Sequence, residues 1–499
     1  MKRILVIAAA VLALIPFSTL SQTKRESRDD MKVGGSFPSS NSIRARLKEL
    51  VPDARNTGIV VGLLHPGGKR QVIAYGSSGL NARPLDGDSV FEIGSITKVF
   101  TGVLLADMMQ RGEVKLSDPL ARFLPPNVSA PSRDGKQITL LDLATHTSGL
   151  PPSPSNLPNA PQGYNAYTLQ QMYDFLSGYE LARAPGGADQ YSNFFSLIGH
   201  ALAFRSGKPY EALLRERILS PLKMEQTAVT LTPRMQRHLT QGHDRFGDPA
   251  PYFTPPAFVP SGGMKSTLND MLDFAAANVA QNTAGIYGAL RQAHRPQRPL
   301  GDSGEFWGLG WGIEPRENLI GHQGGTFGYN SFINIDLKNR RAVVVLTNVA
   351  GGDAGAIGAY LLDPAKYPLK KPSVVRAVAG VYRSGGIKEA IQQYRTLHST
   401  ARDGWNFAES ELNDLGYWLL RRKSIADAIA VFTLNVEMYP ESPNPYDSLG
   451  DALRAAGQLE RAVENYRKAV ALAEATNDPN LAGLRKTLES AIQQLNSAK

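Results

Sequence analysis

The chain has 499 residues, of which 42% are hydrophobic, and a formal net charge of +9. A chain of this length can form one large domain and a smaller one. Its positive charges are scattered and it contains no recognisable nucleic-acid-binding motif, so we expect no nucleic-acid partner. It has no cysteine, which excludes disulfides, thiolate metal sites and a cysteine nucleophile. Its histidines lack the spacing of a metal site, so we expect no metal and no cofactor.

The first 21 residues have the pattern of a secretory signal peptide. Residues 1–3 include two basic side chains, and residues 4–17 are apolar but too few to span a bilayer comfortably. Ser21 is a small residue suited to a cleavage site. Residues 22–40 are polar and are predicted to be flexible. We therefore expect a secreted, periplasmic protein with no membrane span after signal removal; an uncleaved anchor is the alternative.

Strand patterns precede and follow a mainly helical stretch. The predicted strands are Thr57 to Leu64, Gln71 to Tyr75, Trp307 to Ile313, Ser331 to Ile335 and Arg341 to Leu346. Strands on both sides of a helical insertion predict one antiparallel sheet whose two halves are separated in sequence. We assign residues 41–366 to this α/β (α+β) domain, an antiparallel sheet flanked by helices with a helical region beside it.

The helical stretch contains a serine and a lysine three residues apart. Ser95 and Lys98 lie one turn apart on one helix face, so the lysine amine can reach the serine hydroxyl. Both sides of the following helix are apolar, which predicts a buried lysine with a lowered pKa, as a proton acceptor requires. Further Ser-x-x-Lys spacings begin at Ser21 and Ser220, but neither opens a long apolar helix. Ser95 is therefore the predicted nucleophile, and Gly94 allows a tight turn that presents backbone N–H groups to an oxyanion.

A tyrosine and an asparagine in a second segment are candidates for proton transfer and substrate binding. Tyr191 and Asn193 follow a glycine-containing turn and precede an apolar helix. Tyr191 would exchange a proton with Ser95 if the charge of Lys98 lowers its phenol pKa. Asn193 would hold Lys98 or a substrate amide. A buried structural tyrosine is the alternative, because the same spacing recurs elsewhere, for example at Tyr329.

A glycine-rich segment over residues 321–325 supplies the third group of candidates. It is predicted to lie just before a strand, and its glycines would let the strand edge approach a ligand closely. The Gly325 N–H would complete an oxyanion hole with the Ser95 N–H. His322 would face the substrate, with a turn histidine and a β-bulge as the alternatives. The substrate-binding candidates of this segment are His322, Gln323, Gly324 and Gly325.

Beyond about residue 367 the composition changes to helix formers with a 34-residue repeat. Gly416 recurs as Gly450, and Phe432 recurs as Tyr466. This is the period of tetratricopeptide repeats. We predict a helical linker over 367–410 and an all-α domain of tetratricopeptide-like repeats over 411–499. The repeats would bind a protein partner, and a plain helical cap is an equally good interpretation.

The order and flanking sequences of these candidates resemble the serine β-lactamase-like superfamily, which includes class C β-lactamases, serine DD-peptidases and family VIII carboxylesterases. The five blocks that carry the resemblance are Phe91 to Lys98, Leu143 to Pro151, Tyr191 to Asn193, Gly262 to Asp270 and His322 to Gly324. The resemblance spans residues 42–349 and implies an antiparallel sheet flanked by helices. It also implies Ser95 as the acylated nucleophile and Lys98 and Tyr191 as general acid and base, with the base in acylation left open. Asn193 would bind the acyl-side amide, whereas the blocks containing His146 and Ser266 are interpreted as structural.

The third block differs from the Lys-Thr-Gly block of class C β-lactamases, which helps to hold the substrate carboxylate. His322 and Gln323 stand in place of the lysine and the threonine. A neutral imidazole binds a carboxylate less strongly than a permanent cation does. Histidine occurs here in DD-peptidase-like and esterase-like members, so amide and ester substrates both stay open.

The leading hypothesis is an exported serine hydrolase that acts through an acyl-enzyme on β-lactam or D-alanyl peptide amides. The first alternative is a carboxylesterase of the family VIII type that acts on short esters. The second is a penicillin-binding or scaffold protein with slow deacylation, in which the repeats recruit a partner. Each hypothesis implies a small-molecule acyl ligand: a β-lactam, a D-alanyl peptide or an ester.

Overall fold

The computed structural model describes residues 37–51, 57–79, 83–158 and 162–498. It divides the chain into two compact units, residues 1–369 and 370–499. The predicted signal peptide and most of the segment over 22–40 lie outside the described residues. Within the described ranges, no helix is long and apolar enough to cross a membrane.

The strands of the first unit are β1 (Gly58–Leu64), β2 (Arg70–Gly76), β3 (Val90–Glu92), β4 (Ser132–Arg133), β5 (Lys136–Gln137), β6 (Lys265–Thr267), β7 (Arg298–Leu300), β8 (Glu305–Trp307), β9 (Gly312–Glu314), β10 (Leu319–Gly325), β11 (Asn330–Asp336) and β12 (Arg341–Thr347). An eight-stranded sheet has the order β2-β1-β12-β11-β10-β9-β8-β7, and its neighbouring strands are antiparallel. Strand β1 pairs with β12 from the far end of the unit, so the predicted antiparallel sheet with an intervening helical region is confirmed.

One detail of the strand prediction is wrong, and one strand was missed. The predicted strand over 307–313 is two strands, β8 and β9, because the chain turns between them. The Gly308 N–H donates a hydrogen bond across this turn to the carbonyl oxygen of Trp311 at 2.8 Å. The glycine-rich segment over 321–325 lies before a strand, β11, as predicted, but it is itself the end of a further strand, β10, which was not predicted from the sequence. This segment is a strand because β9 and β11 pair with β10 on its two sides. A short, glycine-rich sequence has a low strand propensity and does not predict such pairing.

The helices of the first unit are α1 (Ser40–Leu50), α2 (Thr97–Gln110), α3 (Leu140–Ala144), α4 (Gln162–Ala166), α5 (Leu169–Gly178), α6 (Ser196–Ser206), α7 (Tyr210–Leu214), α8 (Pro233–His238), α9 (Val259–Gly262), α10 (Leu268–Asn278), α11 (Ile286–Ala293) and α12 (Ala354–Leu362). They cover both faces of the sheet. Val61 of β1 packs in a core with α1 and α12, whereas Val60 packs in the core that contains α2 and α10. Because successive side chains of a strand point to opposite faces, β1 is apolar and buried throughout.

Helix α2 lies inside the larger core. Every residue from Thr97 to Met108 is buried. A helix that is apolar on all sides is stable only when surrounded by protein, and the polar side chains on it are then desolvated. The prediction of a buried helix after Ser95 is confirmed.

The second unit is all helical. Its helices are α13 (Val374–Gly385), α14 (Ile387–Thr400), α15 (Glu409–Arg421), α16 (Ile425–Met438), α17 (Pro443–Ala455), α18 (Leu459–Thr476) and α19 (Leu481–Ala498). A Cβ added to Gly416 would lie 2.4 Å from the Phe432 ring, and one added to Gly450 would lie 2.6 Å from the Tyr466 ring. The same glycine-on-ring packing thus recurs 34 residues later, so the sequence period is also a structural one. The assignment to the tetratricopeptide class stays a prediction.

Candidate active site

Ser95 lies in a single 3-10 turn, Gly94–Ile96, directly before α2. Gly94 has a φ of +50°, in the left-handed region that favours glycine. The carbonyl of Ile93 accepts hydrogen bonds from the Ile96 N–H at 3.2 Å and from Ser331 Oγ at 2.8 Å. The turn is therefore fixed both to itself and to β11, and Ser95 keeps 8% of its surface exposed.

Lys98 points back onto the same turn. Its Nζ lies 3.1 Å from Ser95 Oγ and 3.0 Å from the carbonyl oxygen of Ser261, which belongs to α9. Its side chain is fully buried. Burial disfavours the ammonium form and lowers the pKa of Lys98 to about 7. A substantial fraction of the lysine is therefore a neutral amine near neutral pH, within reach of the proton on Ser95.

Tyr191 lies on the other side of the lysine. The Lys98 Nζ is 4.8 Å from the centroid of the Tyr191 ring, and the Tyr191 hydroxyl is a hydrogen-bonding partner of Ser95. The side chain keeps some exposed surface, yet desolvation of its hydroxyl raises the pKa of Tyr191 above that of an ordinary phenol. The condition that the charge of Lys98 lowers the phenol pKa is therefore not met, because burial raises the pKa of Tyr191 and outweighs the opposite effect of the hydrogen bond with Ser95. Tyr191 stays protonated, a state suited to an acid rather than a base.

His146 and Trp307 hold the Tyr191 ring in place. The centroids of the His146 and Tyr191 rings are 4.4 Å apart, and those of His146 and Trp307 are 4.6 Å apart. His146 Nδ1 accepts a hydrogen bond from the Ser192 N–H at 3.2 Å, so this nitrogen carries no proton. Burial lowers the pKa of His146, which keeps the ring neutral. This histidine therefore supports the tyrosine through packing and one backbone contact.

Among the hydrogen bonds that the structure describes, none joins the Asn193 side chain to Lys98. Its Nδ2 donates to Ser153 Oγ at 3.4 Å, and its backbone N–H donates to the carbonyl of Pro152 at 3.0 Å. The side chain is partly exposed. Lys98 and a substrate amide were the two partners predicted for Asn193. The contact with Lys98 is not among the described hydrogen bonds, so the substrate amide stays a prediction.

The end of β10 approaches the serine turn at backbone distance. A Cβ added to Gly324 would lie 2.0 Å from the carbonyl oxygen of Ile93, and one added to Gly94 would lie 2.6 Å from the Gly325 nitrogen. No side chain fits between these segments. The backbone at Ser95 and that at Gly325 are thus brought together, as two N–H donors of an oxyanion hole must be.

His322 faces the same site from β10. It is 4% exposed, and its ring centroid lies 6.2 Å from that of Tyr191. His322 Nδ1 lies 2.6 Å from the carbonyl oxygen of Gln323. Burial, and then the charge of Lys98, lower the pKa of His322 to about 3. The histidine is therefore neutral at physiological pH and supplies no permanent positive charge.

The side chain of Gln323 is not brought to this group. A Cβ added to Gly355, in α12, would lie 2.5 Å from Gln323 Oε1. Neighbouring residues of a strand point to opposite faces, so His322 faces Ser95 and Gln323 faces α12. The predicted substrate-binding role of Gln323 is not supported for its side chain, and its carbonyl instead orients His322.

The structure thus assembles most of the predicted candidates around one serine. Ser95, Lys98 and Tyr191 are in mutual contact, and His322, Gly324 and Gly325 border them. Two contributions were missed. The Ser261 carbonyl is a backbone group, which any residue type could supply, so the sequence gives no sign of it. His146 was interpreted as structural because turn chemistry explains its block. The position of that block between the Ser95 and Tyr191 motifs could have indicated that His146 lies near the site.

Comparisons with known proteins match residues 43–365 to the family described as Beta-lactamase. The D-alanyl-D-alanine-carboxypeptidase/endopeptidase AmpH of Escherichia coli (strain K12) is 35% identical over 304 residues, which cover 56% of this chain and 77% of that protein. A Beta-lactamase of Escherichia coli (strain K12) is 29% identical over 275 residues, covering 54% and 69%. The crystal structure of a Beta-Lactamase/D-Alanine Carboxypeptidase from Pseudomonas syringae aligns with a TM-score of 0.56 at 21% identity, covering 66% of this chain and 99% of that chain. That last likeness concerns the fold alone.

Proposed function

The chain belongs to the beta-lactamase family, and we propose that it is an exported serine hydrolase that acts through an acyl-enzyme at Ser95 on D-alanyl peptide or β-lactam amides. The single observation that carries this is the contact of 3.1 Å between Ser95 Oγ and the Nζ of a fully buried Lys98. A buried, partly neutral amine beside a hydroxyl is an activated nucleophile. Export rests on the signal-peptide pattern of residues 1–21.

In acylation, neutral Lys98 takes the proton of Ser95 as Oγ attacks the substrate carbonyl carbon. The oxyanion forms between the N–H groups of Ser95 and Gly325. Tyr191 then gives its proton to the leaving nitrogen or oxygen while the bond to the carbonyl carbon breaks, and the Lys98 ammonium returns a proton to the Tyr191 oxygen. In net, one proton moves from the serine to the leaving group, and Lys98 and Tyr191 both regain their starting states.

In deacylation, a water molecule takes the place of the leaving group. Lys98 accepts its proton through Tyr191 or directly, and the hydroxide adds to the acyl carbon. The bond to Ser95 Oγ breaks, and the proton returns to the serine. The raised pKa of Tyr191 and the lowered pKa of Lys98 support a protonated phenol at rest and favour Lys98 as the base in both half-reactions.

A family VIII-type carboxylesterase is the second candidate, and the neutral His322 favours it. A penicillin or a peptide with a free C-terminus carries a carboxylate, which a cation in the site would bind. A simple ester substrate carries no carboxylate and therefore needs no such cation. Penicillin binding with slow deacylation, or a scaffold role for the repeats, is the third candidate, which no described contact favours over turnover.

A parallel assay of nitrocefin, a D-Ala-D-Ala peptide and a short p-nitrophenyl ester tests these functions. We expect hydrolysis of at least one of them by the wild type and a loss of at least about 10³-fold in Ser95→Ala. Ester turnover alone would favour the esterase, and a long-lived penicillin adduct in intact mass would favour the binding protein. Unchanged hydrolysis of all three in Ser95→Ala would refute the proposal.

A further inference from the structure

Asp189 joins the loop that carries Tyr191 to a hairpin of the large sheet. This aspartate is half-buried and lies two residues before Tyr191. Its Oδ2 accepts a hydrogen bond from the indole N–H of Trp307, in β8, at 3.0 Å, and its Oδ1 accepts one from the Gly301 N–H at 3.2 Å. Gly301 lies in the turn between β7 and β8. One carboxylate therefore binds two points of the same hairpin.

Trp307 connects this carboxylate back to the Tyr191 ring. The centroids of the Trp307 and Tyr191 rings are 6.2 Å apart, and both rings pack against that of His146. Trp307 is 1% exposed. Its strand β8 pairs with β9, and β9 pairs with β10, whose end borders Ser95. The indole is thus fixed relative to the serine, and the loop of Tyr191 is bound to it through Asp189.

A second buried tryptophan shows that an indole can be buried here without such a bond. Trp311, directly before β9, is 0% exposed, and among the described residues none accepts a hydrogen bond from its Nε1. Its ring stacks on Phe274 with the centroids 6.2 Å apart. Packing alone therefore holds Trp311. The structure leaves this indole N–H unpaired but pairs that of Trp307 with the loop that carries Tyr191.

The backbone of the loop is held by bonds that do not orient the Tyr191 side chain. The Gly186 N–H donates to the carbonyl of Thr147 at 2.8 Å, and the Gln190 N–H donates to the carbonyl of His146 at 2.8 Å. Residues 186–188 are exposed. Such bonds fix the course of the chain but leave the side-chain rotamer of Tyr191 to the rings around it. The position of the Trp307 ring relative to the loop therefore matters for the phenol.

The position of the Tyr191 hydroxyl matters most when the leaving group departs. In the proposed acylation Tyr191 gives its proton to the leaving atom, and this transfer requires hydrogen-bond reach. A leaving group that is stable as an anion needs no proton, whereas an alkoxide or an amide nitrogen does. A displaced phenol would therefore slow the cleavage of poor leaving groups more than that of good ones, while Lys98 would still activate Ser95.

We propose that Asp189 is a positioning residue that orients the Tyr191 phenol toward the leaving atom through Trp307, and so allows the cleavage of acyl donors with poor leaving groups. The inference rests on the proposed function, in which Tyr191 is the acid. It names the substrates that depend on Asp189, which are amides and alkyl esters rather than activated aryl esters.

Two esters of the same acyl group test this role. One has a p-nitrophenyl leaving group, which is stable as an anion, and the other has a more basic trifluoroethyl leaving group. Because kcat/KM is measured from free enzyme and substrate, it reports acylation, and the deacylation that both esters share does not enter. Asp189→Ala should lower kcat/KM for the trifluoroethyl ester at least about tenfold more than for the p-nitrophenyl ester. A purely structural loss would lower both values alike.

Further variants assign the effect to the bond between Asp189 and Trp307. Trp307→Phe removes the indole N–H but keeps a ring, and should change the ratio of the two kcat/KM values in the same direction. Adding Asp189→Ala to it should change the ratio by less than about threefold more, because both remove one interaction. Asp189→Asn keeps an acceptor oxygen and should stay within about threefold of the wild-type ratio. The matched control is Trp311→Phe, which removes an indole N–H without a described partner and should leave the ratio unchanged.

An unchanged ratio in Asp189→Ala, whether both rates are kept or fall alike, would overturn the inference while leaving Ser95-dependent hydrolysis intact. The same shift in Trp311→Phe would also overturn it, because the effect would then not belong to Asp189. A wild type that cleaves only the p-nitrophenyl ester would overturn it as well, since there would be no acid assistance to position. Absence of Ser95-dependent hydrolysis of both esters would be a failure of the proposed function itself, and the inference would fall with it.

Discussion

Lys98 and Lys265 are two buried lysines of the same unit, with 0% and 4% of their surface exposed. Lys98 contacts a hydroxyl and one backbone carbonyl, and burial alone accounts for its lowered pKa. Lys265 faces Glu92 across the paired strands β3 and β6, and its Nζ donates to the carbonyls of Phe253 and Gly263. The charge of Glu92 partly opposes the lowering of its pKa by burial.

The difference lies in the carboxylate. A buried lysine that faces an acid keeps more of its charge, and here the acid also holds a loop, because Glu92 Oε1 accepts a hydrogen bond from the Phe253 N–H at 2.6 Å. A buried lysine without such an acid loses its proton easily and becomes a base. Burial of lysine is therefore not a catalytic signature by itself. Within the described part of the chain, a carboxylate acts on Lys265 and none acts on Lys98, and this distinguishes the two roles.

Replacing Lys98 should give the largest effect. Lys98→Met fills the same space without an amine, and we expect kcat/KM on an uncharged ester to fall at least about 10³-fold, or about 4 kcal/mol. Because no desolvated charge remains, the free energy of unfolding should rise, by about 2 kcal/mol at pH 7. Steady-state kinetics and urea unfolding of the same preparations check both. A Lys98→Met variant that is inactive because it is unfolded would contradict the assignment of a catalytic rather than a structural role to Lys98.

Replacing Lys265 should do the reverse. Lys265→Met leaves Glu92 buried without its partner, and we expect a loss of about 3 kcal/mol in the free energy of unfolding, with folded protein retaining activity within about tenfold. The matched control is Glu92→Gln combined with Lys265→Met, which should recover at least about 1 kcal/mol because no lone charge remains. An equally destabilised double variant would show that packing, not charge, determines the loss.

The pH dependence of catalysis sharpens the contrast. Lys98 has a pKa of about 7 and acts as the neutral amine, so kcat/KM on an uncharged ester should rise with pH, reach half its maximum near pH 7 and fall about tenfold per unit well below it. Profiles of Glu92→Gln should keep this midpoint. A rate that is flat between pH 5 and 8 would contradict the assignment of Lys98 as the base.

Stability should respond in the same direction. The pKa of Lys98 is lower in the folded protein than the ordinary 10.5, so between about 7 and 10.5 the unfolded chain binds a proton that the folded chain does not. This contribution therefore makes the protein more stable as pH rises through that window. The advantage of Lys98→Met in urea unfolding should accordingly shrink between pH 7 and pH 10.

Replacing Ser261 should give the smallest effect. Lys98 binds the carbonyl oxygen of Ser261, while the Ser261 hydroxyl donates to the carbonyl of Phe258 at 3.0 Å. Ser261→Ala keeps the lysine's partner, so kcat/KM should change by less than about threefold and the midpoint near pH 7 should not move. A large shift of that midpoint would show that the hydroxyl helps to set the pKa of Lys98.

The sequence was sufficient where the determining contacts are local. Ser95 and Lys98 are one helical turn apart, and the apolar residues around them predict burial, so their contact and the direction of the lysine pKa followed from the pattern. The antiparallel sheet followed from strand patterns on both sides of a helical region. Both inferences need only spacing and hydrophobicity.

The remaining features depend on contacts that no local pattern encodes. Gln323 was placed in the site because its segment was not recognised as a strand, so the alternation that turns it toward α12 was not applied. The direction of the Tyr191 pKa was not predicted because burial depends on residues distant in sequence, such as His146 and Trp307, whose rings lie beside that of Tyr191. The Ser261 carbonyl is a main-chain partner that any residue type could provide.

The central claim is that Ser95 is acylated during turnover, and rapid-quench mass spectrometry of the whole protein tests it most directly. Wild type mixed with a saturating, readily hydrolysed ester should show, within the first turnover, a mass increase equal to the acyl group, mapped to the peptide that contains Ser95. Ser95→Ala should show none. Turnover by the wild type with no adduct, or the same adduct in Ser95→Ala, would contradict the account.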